Sequence, residues 1–534
     1  METLAALLDA TAARHPTREA LAFAPRDTVT ARRTWAELRD ESRVAAKKLL
    51  AAGVSKGTRV ALLCSNRPEW LPVAFGVARL GGILVPLSTL WKRDELAYAL
   101  THADVELLLM LPGFLRHDYL ASLSDLVPEL RLGRPGPLYS ARAPALRRVV
   151  LLEGDAPGTD RWAGLPVEAS DAFLDALERT VSPCDCATVF FTSGTTAQAK
   201  AVVHAHGALT TSARRVSDCL GLTPEDAWWG HMPLFWSGGF IMGALATMAA
   251  GGRIVLQEIV DPGSALALLE REGCTIMLGW HQAAPLLEHP DFPRRRLRLK
   301  KGSGGTHPLA TRLLGPDHVS VGMYGMTETA TCVTCARWDD PAPTRLGTFG
   351  RPLGGMELRI VDPETGHAVA AGETGEILVR GPTLMEGYYK IPRASAFEPD
   401  GFFRTGDLGY LDEAGCLHFA QRLKDVIKTA GVNVAASEVE ETLVRHPAVQ
   451  SAHVVGVPDP ARGENVAAFA VLRAGCVATA EELRDFCKDS LASYKVPRHV
   501  FVIDEVDLPR TATGKVEKRA LRREAEARLA GTPA

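Results

Sequence analysis

No part of this chain is apolar for long enough to cross a bilayer. The longest such stretch, Phe240 to Ala250, is short and rich in Gly and Ala, whereas a spanning helix needs about 20 apolar residues. Charge of one sign is missing as well. Lys+Arg 60 against Asp+Glu 63 leaves −3, so neither nucleic acid nor an anionic membrane surface is an expected partner. The start, Met1-Glu-Thr-Leu4, lacks the basic stretch and apolar core of a secretion signal. Ten cysteines in 534 residues do not make a disulfide framework, and the expected location is a reducing cytoplasm. Cys184-Asp-Cys186 and Cys332-Val-Thr-Cys335 resemble half a zinc site, but no His-rich spacing accompanies either. No internal repeat of about 20–50 residues is evident. What remains is the composition of an ordinary globular protein, 46% hydrophobic and 23% charged, in a chain long enough for roughly two to four domains.

The first part of the chain alternates helical and strand patterns. Trp35 to Leu50 reads as an amphipathic helix with Leu38, Val44, Ala45, Leu49 and Leu50 on its apolar face. Gly53 to Gly57 breaks it, and Arg59 to Cys64 follows as a buried strand. A helix over Trp70–Leu80 and a strand over Ile83–Pro86 come next. Such alternation argues for a parallel α/β sheet. Arg131 to Arg148 reads as a surface loop. Further on, helices are expected near 208–220 and 264–272, and strands near 252–256 and 275–278. Arg294 to Lys301 alternates Leu297 and Leu299 with basic residues, which suggests an edge strand or, alternatively, a grip on an anionic ligand's tail. Residues 345–420 turn to short strands between Gly, Pro and Asp, as in a small barrel or sandwich. The last part carries its own α/β pattern, which sets an expected boundary between residues 1–421 and 422–534.

Chemistry concentrates in five stretches. Thr188 to Phe191 reads as a buried strand, and Thr192-Ser-Gly-Thr-Thr-Ala-Gln-Ala-Lys200 follows. Small and hydroxylic residues let backbone N–H groups and hydroxyls converge on a polyphosphate, and Lys200 adds positive charge. A polar turn between two strands is the alternative. The run is not a GxxxxGK[ST] loop, having one Gly and no Ser or Thr after Lys200. In Met323-Tyr-Gly-Met-Thr-Glu-Thr329 an aromatic can stack on a base, Thr327 can bond a phosphate, and Glu328 can hold Mg²⁺. Phe403 to Asp407 ends in a carboxylate suited to a ribose diol. Gln421 to Asn433 is cationic at Arg422, Lys424 and Lys428, and Pro509 to Lys515 sets a lysine on a glycine-containing turn. Each stretch could be a solvated loop, but all five in this order suit one nucleotide.

In this order and at these separations the stretches resemble the adenylate-forming superfamily: acyl-CoA synthetases, peptide-synthetase adenylation domains and beetle luciferases. The resemblance begins at Thr34-Trp-Ala-Glu-Leu38, ends at Lys515, and so covers essentially the whole chain. It implies an α/β fold: a large N-terminal domain of two α/β sheets plus a small β-barrel, then a small mobile α/β C-terminal domain bearing a catalytic lysine. It implies ATP-dependent activation of a carboxylic acid as acyl-AMP, with release of pyrophosphate, followed by transfer to CoA. On this pattern Thr192, Ser193, Gly194, Thr195, Thr196 and Lys200 cradle the β- and γ-phosphates. Gly304, Gly305 and Thr306 line the adenine together with Tyr324, Gly325 and Met326. Thr327 and Glu328 serve phosphate and Mg²⁺, Asp407 and Arg422 hold the ribose, and Lys428 lies near phosphate. Lys515 bridges the substrate carboxylate and the α-phosphate, Lys424 marks the hinge, and Gly431 marks the thiol entry.

The acyl group is expected against Trp236, Ser237, Gly238, Gly239 and Gly304, with Trp280 and His281 approaching from a neighbouring loop. Glycines leave width, indoles supply flat apolar walls, and no fixed charge is present. The expected substrate is therefore a hydrophobic acid, aromatic or carbocyclic. The sequence departs from the pattern at Ala197, Ala199 and Ala201, where Gly, Pro and Gly are usual, which bears on pyrophosphate handling. It departs also at Trp236, usually His, and at Met323, usually Gly, which bear on the acyl pocket and thiol tunnel. Two alternatives stand beside a CoA ligase. One is an enzyme loading a carrier-protein thiol or an amine, and the other is a degenerate homologue that binds nucleotide or acyl ligand without turnover. The sequence leaves the oligomeric state open.

Overall fold

A computed structural model describes the chain except for residues 134–136, 193–198, 280–281, 305–308, 364, 424–425, 510–515 and 532–534, and the side chains of 284, 421, 422, 426, 433, 435, 437 and 519. Two compact units emerge. The first comprises Met1–Thr89, Glu95–Phe191 and Ala201–Gln421; the second comprises Leu90–Asp94, Thr192–Lys200 and Arg422–Ala534.

The first unit is built on two large, mainly parallel sheets. One has seven strands in the order Val319–Val321, Lys301–Ser303, Ile276–Met277, Ala227–Gly230, Arg253–Gln257, Glu19–Ala24 and Ala31–Thr34, the last antiparallel. The other has eight, in the order Gly387–Tyr388, Lys200–Ala205, Cys186–Thr192, Ile83–Pro86, Arg59–Leu63, Leu107–Met110, Arg148–Leu151 and Asp160–Arg161. Strands such as Leu107–Met110 are buried throughout, as a parallel strand covered on both faces must be. The helix Trp35–Ala51 starts at a capping box, where Thr34 takes the Glu37 N–H and Glu37 returns a bond to Thr34. It buries Leu38, Ala45 and Leu49, while Val44, expected on the apolar face, is exposed. It meets the helix Trp70–Arg79 at Gly76, where a Cβ would stand 2.9 Å from that of Ala45. The helix expected from 264 begins at Pro262, because Asp261 caps it and Pro fits the first helical turn.

Arg294–Lys301 is not an edge strand. The chain is irregular up to Lys300 and joins the sheet only at Lys301, between two other strands. Glu270 accounts for this: it pairs with Arg295 at 3.1 Å and accepts the Arg296 N–H at 2.8 Å. Leu299 is buried in the core beneath, so the Leu297/Leu299 alternation reflects burial and not pairing. Residues 345–420 contribute to antiparallel sheets of three and four strands. Phe349 and Gly350 exchange backbone hydrogen bonds with Leu417 at 2.8 Å, which stitches the two sheets together.

The second unit carries a sheet in which Val432–Ala435, Val426–Thr429, Gly463–Leu472 and Val449–Asp459 are neighbours, with His499–Ile503 parallel to Gly463–Leu472. The helices Ala436–Val444, Ala480–Ser490 and Lys518–Leu529 complete it. Its own core gathers Val439, Leu443, Val454, Leu483 and Cys487.

Candidate active site

The stretch Met323–Thr329 lies where several elements of the first unit meet. Met323–Tyr324 is a short strand antiparallel to Thr334–Cys335, and a single 3-10 turn follows at Thr327–Thr329. Between these strands Ala330 (φ 48°) and Thr331 (φ 79°) fold back over Gly325. A Cβ on Gly325 would stand 2.2 Å from the Thr331 carbonyl, so this position requires Gly. Positive φ at a β-branched residue is uncommon and tends to mark functional sites.

Each functional group of this turn has a fixed partner. The Tyr324 hydroxyl donates to Asp407 Oδ2 at 2.9 Å, both residues being buried, and the Tyr324 ring stacks on Phe419 with centroids 6.2 Å apart. Thr327 Oγ1 shares a hydrogen bond with Ser237 Oγ at 3.1 Å. The Thr327 carbonyl accepts from His204 Nε2 at 2.7 Å. Burial pushes the His204 imidazole down to about 4, so it is neutral near pH 7 and carries its proton on Nε2. Its other ring nitrogen, Nδ1, has no hydrogen-bond partner among the described residues. Glu328 Oε1 accepts from the Tyr388 hydroxyl at 2.8 Å, and the Glu328 carbonyl accepts the Met385 N–H at 2.8 Å. Burial first, and then the Glu328 charge, push the Tyr388 phenol far above its ordinary value, so it remains a donor.

The stretch expected against the acyl group is held from below. Asn66, buried after the strand Arg59–Leu63, uses its whole amide on one loop. Its Nδ2 donates to the carbonyls of Gly230 and Met232, and its Oδ1 accepts from Leu234 N–H, all at 2.9 Å. Trp236 is half-buried and meets Phe235 edge-on at 5.8 Å. A π-helix then runs over Gly238–Leu245. A Cβ on Gly239 would lie 2.1 Å from the Pro233 carbonyl, whereas one on Gly238 would meet, among the described residues, just the terminal methyl of Met232, at 2.8 Å.

Of the other expected residues, Thr192 ends one strand and Lys200 begins the next. Gly304 follows the strand Lys301–Ser303 at φ 81°, its N–H bonded to the Val321 carbonyl at 2.8 Å. Lys428 and Gly431 belong to the second unit, on a hairpin described below. Ser193, Gly194, Thr195, Thr196, Trp280, His281, Gly305, Thr306, Lys424 and Lys515 lie outside the described residues, as does the side chain of Arg422. Ala201, one of the three alanines that depart from the family pattern, is an ordinary buried strand residue whose carbonyl accepts the Tyr389 N–H at 2.8 Å, so alanine is unstrained there. Sequence reasoning missed His204, Tyr388 and Asn66. The available signals were a histidine inside an apolar strand, a tyrosine after Gly387, and an asparagine shortly after a buried strand.

Beside the two large α/β sheets, the small antiparallel sheets bring a tyrosine–aspartate pair next to a threonine–glutamate turn, groups suited to a ribose, a phosphate and a divalent cation and so to a nucleotide-using enzyme. Residues 8–389 match the AMP-binding enzyme family, and residues 438–515 match the AMP-binding enzyme C-terminal domain. The chain belongs to this family and is an ATP-dependent, AMP-forming acid–CoA ligase. It is 34% identical to the 3-[(3aS,4S,7aS)-7a-methyl-1,5-dioxo-octahydro-1H-inden-4-yl]propanoyl:CoA ligase of Rhodococcus jostii, over 92% of this chain and 94% of that one. It is likewise 34% identical to the acyl-CoA ligase sidI of Aspergillus fumigatus, over 94% and 89% of the two chains. Among solved structures it resembles the amide bond synthetase McbA of Marinactinospora thermotolerans, with TM-score 0.81, 30% identity, and 98% and 99% of the chains covered. No helix among the described residues is long and apolar enough to cross a membrane.

Proposed function

We propose that the enzyme activates a bulky, uncharged carboxylic acid, aromatic or carbocyclic, as acyl-AMP and passes the acyl group to CoA in the cytoplasm. The observation that carries the substrate class is the half-buried Trp236 beside two glycines, on a loop that Asn66 holds by three hydrogen bonds. The Rhodococcus relative, whose name specifies a bicyclic propanoyl substrate, supports the same class.

Asp407 and Glu328 take different tasks. Asp407, oriented by Tyr324, accepts from the ribose hydroxyls while the aromatic faces the base. Thr327, oriented by Ser237 and by His204 through its carbonyl, donates to a phosphate oxygen. Glu328 keeps one oxygen on Tyr388 and offers the other to Mg²⁺. Among the described residues no three His, Cys, Asp or Glu side chains cluster as a metal cage. A lone carboxylate still fits Mg²⁺ that arrives on ATP, since Mg²⁺ is usually held by one or two carboxylates and the substrate phosphates. When bound, it supplies neutralisation of phosphate charge. Lys200 and the loop before it bind the β- and γ-phosphates. Lys515 neutralises the carboxylate and α-phosphate as they approach, a step dominated by positioning and charge. In this reading residues 1–421 carry the ATP and acyl sites. Residues 422–534 turn on Lys424 to exchange Lys515 for the Gly431 side, where the thiol enters.

The test is AMP release from ATP over a panel of acids, with and without CoA. AMP formation that depends on a cyclic acid, with thioester appearing on adding CoA, is expected. Tight ATP binding with no AMP under any acid would favour the non-catalytic homologue instead. The likeness to an amide bond synthetase favours one second reading, transfer to an amine; amide in place of thioester would select it.

A further inference from the structure

The turn Ala430-Gly431 joins the strands Val426–Thr429 and Val432–Ala435, with Thr429 paired to Val432. Both turn residues have positive φ, 50° and 78°, as a two-residue type I′ hairpin requires. Three consecutive residues at the start of a neighbouring strand, Arg462 just before it and Gly463 and Glu464 within it, hold this hairpin. The Arg462 carbonyl accepts the Ala430 N–H at 2.8 Å, and Arg462 Nε donates to Thr429 Oγ1 at 3.1 Å. Gly463 pairs with Thr429. The side chain of Glu464 holds the strand as well: Oε2 accepts the Lys428 N–H at 2.8 Å, while Oε1 meets Arg522 Nη1 at 3.0 Å. Arg522 lies on the helix Lys518–Leu529, which begins three residues after Lys515. Gly456 makes room for this carboxylate, since a Cβ there would stand 2.8 Å from Glu464 Oε2.

We propose that Glu464 is a positioning residue for the second half-reaction. It clamps the edge of the thiol-entry hairpin to the helix that follows the catalytic lysine. The proposal rests on the reading of Gly431 as the thiol entry. A surface ion pair alone has little effect, but a carboxylate that also accepts a backbone N–H beside the turn fixes where that backbone lies. Glu464 touches no substrate; it acts through Lys428 N–H on the position of the turn two residues further on.

The experiment measures acyl-AMP formation and thioester formation separately. Wild type and Gly431→Leu are taken first: if wild type forms no thioester, or Gly431→Leu forms it normally, the thiol-entry reading falls and the proposal with it. With that reading intact, Glu464→Ala should raise KM for CoA about tenfold, as for loss of one hydrogen bond to a charged group. KM for ATP should stay within about twofold, on the same scale of error. Glu464→Gln keeps an oxygen for Lys428 N–H and should restore KM for CoA to within about threefold of wild type. Gly456→Ala pushes the carboxylate aside without removing any polar group, and so reaches the same effect if Glu464→Ala folds poorly. An unchanged KM for CoA in both Glu464→Ala and Gly456→Ala overturns the proposal. So does an equal rise in KM for ATP and CoA.

Discussion

Replacing Tyr388 by Phe removes one oxygen and leaves the ring packed on the core. The oxygen matters because it donates to Glu328 Oε1 at 2.8 Å and remains protonated at any working pH. A hydrogen bond to a charged group contributes about 1.5–3 kcal/mol. This one is only partly buried, which favours the lower end, and about 1.4 kcal/mol corresponds to tenfold in rate. Tyr388→Phe is therefore expected to slow acyl-AMP formation about tenfold, and to raise the Mg²⁺ concentration needed for half-maximal rate by a similar factor. Conversion of supplied acyl-AMP to thioester should be unaffected, because pyrophosphate and the Mg²⁺ it carries have left by then. Acid-dependent exchange of pyrophosphate into ATP, titrated with Mg²⁺, reads the first half-reaction directly. An exchange rate and Mg²⁺ dependence equal to wild type would refute the claim that Tyr388 orients Glu328.

Lys515→Ala should lower acyl-AMP formation at least about a hundredfold, as for loss of a focused transition-state charge, yet still turn supplied acyl-AMP and CoA into thioester; equal loss in both halves argues against two working orientations. His204 and His206 are held near 4 by burial against 6.5 when free. The unfolded chain thus binds more protons between about pH 6.5 and 4, so stability is full above that window and falls as pH drops through it. For His204 the gap corresponds to on the order of 3 kcal/mol. His204→Gln should flatten the acid limb of a urea-denaturation series, and an unaltered limb would show the histidine is not responsible. Trp236→Ala should shift preference from cyclic towards smaller or more flexible acids in a competition assay, and an unchanged profile would remove Trp236 from the acyl site.

Much of the first unit was legible because its strands are runs of apolar residues and its helices carry clear caps and periodicity. The helix that starts at Trp35 and the strand Ile83–Pro86 fall where the sequence puts them. The site's components were legible as motifs, but not their mutual bonds. Tyr324 and Asp407 are 83 residues apart, and nothing in either motif says that one orients the other. Tyr388 reads as a core aromatic until the strand Gly387–Tyr388 pairs beside Lys200–Ala205. Asn66 reads as a turn residue until its amide meets a loop 164–168 residues away. The π-helix from Gly238 was invisible, since its register depends on the backbone approach of Gly239 to Pro233 and not on side-chain periodicity. The Leu297/Leu299 alternation misled because burial beneath a loop mimics a strand pattern.

The two glycines after Ser237 are not equivalent as sites for redesign. At 239 any side chain drives into a backbone carbonyl, so that position is closed to mutation and cannot be used to reshape the substrate range. At 238 the obstacle among the described residues is the end of Met232, a side chain that can swing away. A library meant to retune this enzyme towards smaller acids should therefore randomise 236 and 238 together, pair them with Met232, and leave 239 alone.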